Sequence, residues 1–194
     1  MDHQFDDVIN NCVYLKNCSS NKNKDINSLS YLIDRDMSQS ECIKLGIGIE
    51  NVLSDLILKY TNLKNIKLKN SKGKKETDHL FCDEEKKIIY YSELKSNINL
   101  DTEKSKSTIN KCISIVFDIK NTYPDYEIKW CLLALRYTDN KCIPHTLKRK
   151  YETINSNLYG INEYLDILNI DLYFNENDYK IFLNKIAEKM YNNQ

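Results

Sequence analysis

Three charged side chains in the middle of the chain have types and a spacing that suit metal-assisted hydrolysis. Asp78 and Glu93 lie on two segments of strand-like composition, and the polar turn 83–87 separates these segments. If the hairpin is symmetric about Glu85 and Lys86, Asp78 and Glu93 are equally far from its midpoint and face each other. Facing side chains on neighbouring strands have β-carbons about 4.5 to 5.5 Å apart. Two carboxylates would therefore converge, which is unfavourable unless a cation lies between them.

The same strand face offers the remaining parts for cleaving a phosphodiester. Oxygen ligands of this kind suit Mg²⁺, which proteins often hold through one or two carboxylates, with waters and phosphate completing the coordination. Side chains alternate along a strand, so Lys95 shares a face with Glu93. A lysine in that place can donate to a scissile phosphate or to an attacking water. Two carboxylates, a divalent cation and a lysine are sufficient for phosphodiester hydrolysis.

A simpler explanation is an edge strand with one solvated face. On such a strand Glu93 and Lys95 would be exposed and would have no chemical role. The spacing of the three residues is common in unrelated chains, so it does not decide between the two explanations. The context favours a site, because the charged pair interrupts the apolar segment 88–97, and buried strands hold charges only for a reason.

The elements expected around these residues form an α/β (α+β) fold, with a central mixed β-sheet flanked by helices. Apolar stripes at helical spacing predict the helices, and β-branched and aromatic enrichment predicts the strands. Asp101 is the expected N-cap of the helix after the hairpin, whose predicted apolar stripe is Ile109, Cys112, Ile113, Val116 and Phe117. The strand over 127–137 is expected to be buried on both faces. The expected elements are helices over 4–17 and 41–60, strands over 77–82 and 88–96, a helix to about 120, the strand over 127–137, and helices over 160–169 and 176–191.

The motif resembles that of a known nuclease superfamily. Thr77-Asp78, fourteen intervening residues and then Glu93-Leu94-Lys95 resemble the PD-(D/E)XK pattern, with Thr77 where the family has proline. The segment 96–104 resembles the one that follows the catalytic motif in some type II restriction endonucleases. The resemblance covers about 41–137. It implies a restriction-endonuclease-like core inside a single endonuclease domain, 1–194, to which the N-terminal helix and the C-terminal helices are additions.

The resemblance also implies roles for individual residues. Asp78 and Glu93 would ligate the metal together with the backbone carbonyl of Leu94, and Lys95 would position or activate the water. Several members of the superfamily carry an acidic residue on the helix before the hairpin, as a ligand or an orienting group. Glu50 is the candidate for that place, because it lies at the border of the apolar face of the helix 41–60. An amphipathic border residue in water explains Glu50 equally well.

Basic and polar residues near the motif are candidates for DNA contacts. The net charge is zero, with 28 basic and 28 acidic residues, so any DNA-binding surface must be local. Two residues open the helix after the motif, where a helix N-terminus can bind phosphate, and the others lie in the basic segments 64–75 and 138–150. Solvated loops and ordinary helix capping explain these residues nearly as well. The candidates are Lys72, Lys74, Lys75, Ser105, Lys106, Lys148, Arg149 and Lys150.

Other features exclude some classes of protein. His79 should point away from the face of Asp78, so we expect a packed or solvent-exposed histidine rather than a catalytic base. The seven cysteines contain no CxxC pair, which indicates reduced thiols and no structural zinc. The first residues lack the pattern of a signal peptide, and the apolar runs are too short to cross a bilayer. We therefore expect a cytoplasmic protein with no membrane partner.

These observations predict a Mg²⁺-dependent type II restriction endonuclease, with Mn²⁺ able to substitute. It would bind double-stranded DNA as a homodimer, because two-fold protein symmetry matches a palindromic site. The resemblance implies products with 5′-phosphate ends. The alternatives are another nuclease of the superfamily (repair, junction or viral) without strict sequence specificity, a noncatalytic DNA-binding domain, or carboxylates with no chemical role.

Overall fold

A hairpin, a long helix and a parallel strand follow one another in the middle of the chain. The computed structural model describes residues 6–11, 29, 32–33, 37–70, 73–74 and 76–192. None of the helices within these ranges combines the length and the apolar character needed to traverse a bilayer. The α-helices are α1 (Asp6–Asn11), α2 (Gln39–Tyr60), α3 (Thr102–Thr122), α4 (His145–Lys148), α5 (Ile161–Ile167) and α6 (Glu176–Asn192). The strands are β1 (Lys64–Asn65), β2 (Lys69–Asn70), β3 (Gly73–Lys74), β4 (His79–Asp83), β5 (Ile88–Lys95), β6 (Glu127–Ala134) and β7 (Leu158–Tyr159).

The chain divides into two compact units. The first consists of Met1–Ile57 and Tyr173–Gln194, and the second of Leu58–Leu172. Within the first unit, Lys185 Nζ on α6 contacts Asp6 Oδ1 on α1 at 2.8 Å. The core expected over 41–137 therefore draws residues from both units.

A five-stranded mixed sheet forms the centre of the second unit, with the strand order β1-β4-β5-β6-β7. β1, β4 and β5 pair in antiparallel fashion, whereas β5, β6 and β7 are parallel. Parallel neighbours need a crossover, and α3 provides it between β5 and β6. β5 is therefore an interior strand. The expected α+β class and the mixed sheet flanked by helices are confirmed.

The β4–β5 hairpin has the register that symmetry about Glu85 and Lys86 predicts. His79 pairs with Ser92, and Leu80 pairs with Tyr91. β4 begins at His79, two residues later than the strand predicted over 77–82, so Asp78 is not part of the strand. Asp78 instead lies directly before the ladder, one step beyond its last pair and level with Glu93.

α3 packs on one face of this sheet. The cluster between them consists of Leu68, Leu80, Cys82, Ile89, Tyr91, Cys112, Ile115 and Ile119. On α3 itself Ser105, Thr108 and Ile115 are buried, whereas Ile113 is 50% exposed and Phe117 is 66% exposed. The predicted stripe is therefore wrong at Ile113 and Phe117, because small polar residues occupy part of the face turned to the sheet.

The segment after β5 differs from its prediction in several places. β6 ends at Ala134, and only its second half is fully buried, so the prediction of burial on both faces over 127–137 holds in part. The expected loop 138–150 contains the 3-10 helix Asn140–Cys142 and α4, and a second 3-10 helix, Arg149–Asn157, leads to β7. β1 and β7 have two residues each, too few to give an alternating pattern. Of the helix predicted over 4–17, only α1 lies within the described residues.

Candidate active site

Asp78 and Glu93 lie side by side at the open end of the β4–β5 hairpin. Asp78 Oδ2 accepts a hydrogen bond from the backbone amide of Leu94 at 2.7 Å, which ties the start of β4 to β5. The side chain of Glu93 is 0% exposed. Burial and the negative charge of Glu93 raise the pKa of Asp78, and the Leu94 amide and two lysines oppose them only in part. The two carboxylates therefore repel each other in one shared environment.

Two ammonium groups neutralise Glu93. Lys95 Nζ donates to Glu93 Oε1 at 2.8 Å, and Lys111 Nζ, which reaches over from α3, donates to the same oxygen at 2.7 Å. Burial lowers the pKa of Lys111, but the hydrogen bond and the charge of Glu93, with a contribution from Asp78, raise it overall. Lys111 is therefore a cation of the site, and it was not among the residues predicted for it.

Tyr91 closes the buried side of the site. Its hydroxyl donates to Glu93 Oε2 at 3.3 Å. Burial is the main cause that raises the pKa of Tyr91 and raises the pKa of the neighbouring Cys112 to about 11. Burial therefore favours the neutral form of both groups.

The position of β5 excludes the edge-strand explanation. β5 pairs with β4 on one side and with β6 on the other. The alternation of side chains directs Tyr91, Glu93 and Lys95 toward the face covered by α3. A buried carboxylate needs hydrogen bonds and opposite charges to persist in its ionised form. The two lysines supply them, and the residues form a built polar cluster rather than a solvated surface.

His79 points to the other face of the sheet. It is 2% exposed, and its Nδ1 lies 2.6 Å from the hydroxyl of Tyr164 on α5. The two rings stack, with centroids 5.9 Å apart. His79 is therefore a packed residue, as expected, and does not face the carboxylates.

Glu50 and the backbone carbonyl of Leu94 are the two other groups predicted as metal ligands. Glu50 lies on α2 in the first compact unit and is half-buried. Leu94 donates its backbone amide to Oδ2 of Asp78. For both, the role as a ligand stays a prediction.

The residues predicted to contact DNA at the start of α3 differ in accessibility. Lys106 is exposed. Ser105 is 1% exposed, and its hydroxyl donates to the carbonyl of Thr102 at 3.0 Å, so a phosphate has no access to it in this arrangement. Among the lysines of the earlier basic segment, Lys72 and Lys75 lie outside the described residues. The backbone of Lys74 lies in β3, but its side chain is not described.

The basic residues at the end of α4 and directly after it are partly engaged with the chain itself. Arg149 is exposed and Lys148 is half-exposed. Lys150 Nζ donates to Asn99 Oδ1 at 2.9 Å and to the carbonyl of Leu100 at 2.7 Å. Lys150 therefore ties this basic segment to the connection that leads from β5 to α3.

Comparison with known proteins finds no family model, no curated protein and no solved structure that matches this chain. In the ranges that the structure describes, no three side chains of histidine, cysteine, aspartate or glutamate gather in a way that could hold a metal ion. Any metal at Asp78 and Glu93 would therefore be held by two carboxylates from that part of the chain. The function has to be inferred from the chemistry of this cluster.

Proposed function

We propose that this protein is a Mg²⁺-dependent endonuclease that cleaves double-stranded DNA at specific sequences, in the manner of type II restriction enzymes. One observation carries the proposal. Asp78, directly before β4, and the buried Glu93 on β5 share one environment, with the ammonium group of Lys95 bonded to Glu93. A helix, a hairpin, a second helix and a parallel strand in this order also support a restriction-endonuclease-like core.

The donor set at the hairpin end suits Mg²⁺. Mg²⁺ is a hard cation that is often held by one or two carboxylates and keeps several waters. Burial, and after it the charge of Glu93, raises the pKa of Asp78, and a divalent cation between the two carboxylates would offset their mutual repulsion. Asp78 and Glu93 would hold the ion, with the carbonyl of Leu94 as a further ligand. When bound, the ion supplies a Lewis acid that neutralises charge on the phosphate.

Lys95 has the chemistry to act on the substrate. Its side chain is 32% exposed, so its ammonium group lies at the border between the buried Glu93 and solvent. From there it donates to a phosphate oxygen or orients the attacking water, and its charge stabilises the negative charge that develops during cleavage. The expected products carry 5′-phosphate and 3′-hydroxyl ends.

The proposed partner is duplex DNA bound by a homodimer. Lys106 and Arg149 are exposed basic residues near the segment that follows the catalytic strand, and they suit contacts with backbone phosphates. Two copies related by a two-fold axis would present equal sites to the two strands of a palindromic sequence.

The test is incubation of the protein with unmethylated phage DNA and Mg²⁺, followed by sequencing of the ends. Discrete fragments are the expected result, whereas a smear would favour a nuclease without strict sequence specificity. Asp78→Ala and Glu93→Ala should abolish cleavage but retain DNA binding. Glu188→Ala, which removes one exposed carboxylate on α6, is the matched control and should cleave normally. Cleavage at the wild-type rate by Asp78→Ala or Glu93→Ala would refute the assignment of these residues to the active site.

A further inference from the structure

One oxygen of the site, Oε1 of Glu93, accepts hydrogen bonds from two lysines. The distances are 2.7 Å to Lys111 Nζ and 2.8 Å to Lys95 Nζ. The carboxylate is 0% exposed, whereas the side chains of Lys111 and Lys95 are 40% and 32% exposed. A divalent cation that binds to this oxygen has to compete with ammonium groups for it.

The charges of the cluster balance. Asp78 and Glu93 carry two negative charges, and the two lysines carry two positive ones. Burial and Glu93 raise the pKa of Asp78, and Lys111 opposes them more strongly than Lys95 does, so Lys111 acts on both carboxylates. A divalent cation added to this balanced cluster meets the repulsion of both ammonium groups, which weakens its binding.

The two lysines differ in how they are attached. Lys95 lies two residues from Glu93 on the same strand. Lys111 comes from α3, on a long flexible side chain that is the more exposed of the two. Its ammonium group can therefore leave Glu93 and become hydrated while the strand and the helix keep their positions.

We propose that Lys111 is a positioning residue, which holds Glu93 as a built-in counter-ion and which a divalent cation displaces from Oε1 when it binds. The inference rests on the proposed function, because it assumes that Glu93 is a metal ligand. Lys111 then lowers the affinity of the site for Mg²⁺ while it keeps the buried carboxylate paired.

The experiment measures Mg²⁺ binding by isothermal titration calorimetry on the full chain. Lys111→Met keeps the length of the side chain without its charge and should lower the Kd for Mg²⁺ by about tenfold, because one repulsive charge near the ion is gone. Lys111→Arg restores the charge and should restore the wild-type Kd. Lys180→Met, which removes an exposed lysine of α6, gives the same net charge as Lys111→Met and should leave the Kd unchanged.

The possible failures are distinguishable. If Mg²⁺ binds to the wild type and Lys111→Met binds it no more tightly, Lys111 has only a structural role and the inference is wrong, while the proposed function stands. If Mg²⁺ binds to neither protein, the proposed function is contradicted together with the inference.

A measurement on the wild type avoids dependence on the folding of a variant. The ¹⁵N signal of the Lys111 ammonium group, assigned by its absence in Lys111→Arg, should be protected from exchange while the group is bonded to Glu93. Saturation with Mg²⁺ should remove that protection. A signal that stays unchanged at saturation would overturn the displacement of Lys111.

Discussion

At the scale of single residues, Asp78 shows how the site balances stability against chemistry. Its carboxylate is held by the amide of Leu94 and is repelled by Glu93. Asp78→Asn keeps an oxygen for the amide and removes the repulsion, so we expect a higher melting temperature at neutral pH. The same change removes a proposed metal ligand and should slow cleavage by about 100-fold or more. Thermal denaturation and a plasmid cleavage assay measure the two effects, and a loss of both stability and cleavage would contradict this account.

The stability difference between wild type and Asp78→Asn should depend on pH in a defined direction. Burial and Glu93 raise the pKa of Asp78 above its ordinary value of 3.8. The folded state therefore favours the protonated carboxyl. Its contribution to the free energy of unfolding is fully present below pH 3.8 and is lost as the pH rises through the raised pKa. The advantage of Asp78→Asn should accordingly grow from acid toward neutral pH. Urea denaturation over a pH series measures it, and an advantage that shrinks with rising pH would contradict the assigned repulsion.

At the scale of elements, the connection between β6 and α5 depends on a close backbone approach at Gly160. A β-carbon there would lie 2.5 Å from Asp139 N and 2.6 Å from Thr138 O. Both atoms belong to the backbone, so Gly160→Ala should destabilise the protein by about 1 to 3 kcal/mol through overpacking. Gly46→Ala is the matched control, because a β-carbon on this α2 residue would meet nothing within 4 Å. It should stabilise the helix by roughly 0.5 to 1 kcal/mol, and urea denaturation distinguishes the two signs.

A second prediction concerns the connection between β5 and α3. The hydroxyl of Tyr151, a fully buried residue, donates to the carbonyl of Ile98 at 3.0 Å. Tyr151→Phe leaves that buried carbonyl without this donor and should cost about 1 to 3 kcal/mol. Tyr173→Phe removes a hydroxyl from a residue that is 58% exposed and should change the free energy of unfolding little. Equal effects of the two changes, measured by urea denaturation, would show that the hydrogen bond to Ile98 contributes nothing.

The same elements show how far the sequence predicts the site. The hairpin register follows from a polar turn between two apolar segments, which is local information, and it brings Asp78 level with Glu93. Lys111 could not be found in this way, because its contact depends on the rotation of α3 about its own axis. The predicted apolar stripe of α3 included Ile113 and Phe117, which are exposed, because the helix buries small polar residues instead. A lysine next to the buried Cys112 was the available signal.

At the scale of the whole molecule, 28 basic residues balance 28 acidic ones, so the proposed DNA binding would depend on local surfaces. Each phosphate that a protein neutralises releases counterions, so the slope of log affinity against log salt reports the number of contacts. Arg149 is exposed and Lys148 half-exposed, and each is expected to contact one phosphate.

Replacing Lys148 and Arg149 together by glutamine should therefore weaken binding to all DNA sequences alike. It should reduce the salt slope by about four, because each subunit of the proposed homodimer loses two phosphate contacts. Replacing Lys180 and Lys189 of α6 by glutamine changes the net charge equally and should leave the slope unchanged. Fluorescence anisotropy with a labelled duplex, in Ca²⁺ to prevent cleavage, gives both slopes. An equal fall in the two double variants would mean that the net charge, rather than this surface, governs the association. An unchanged slope in the variant that replaces Lys148 and Arg149 would exclude these two residues from the proposed DNA interface.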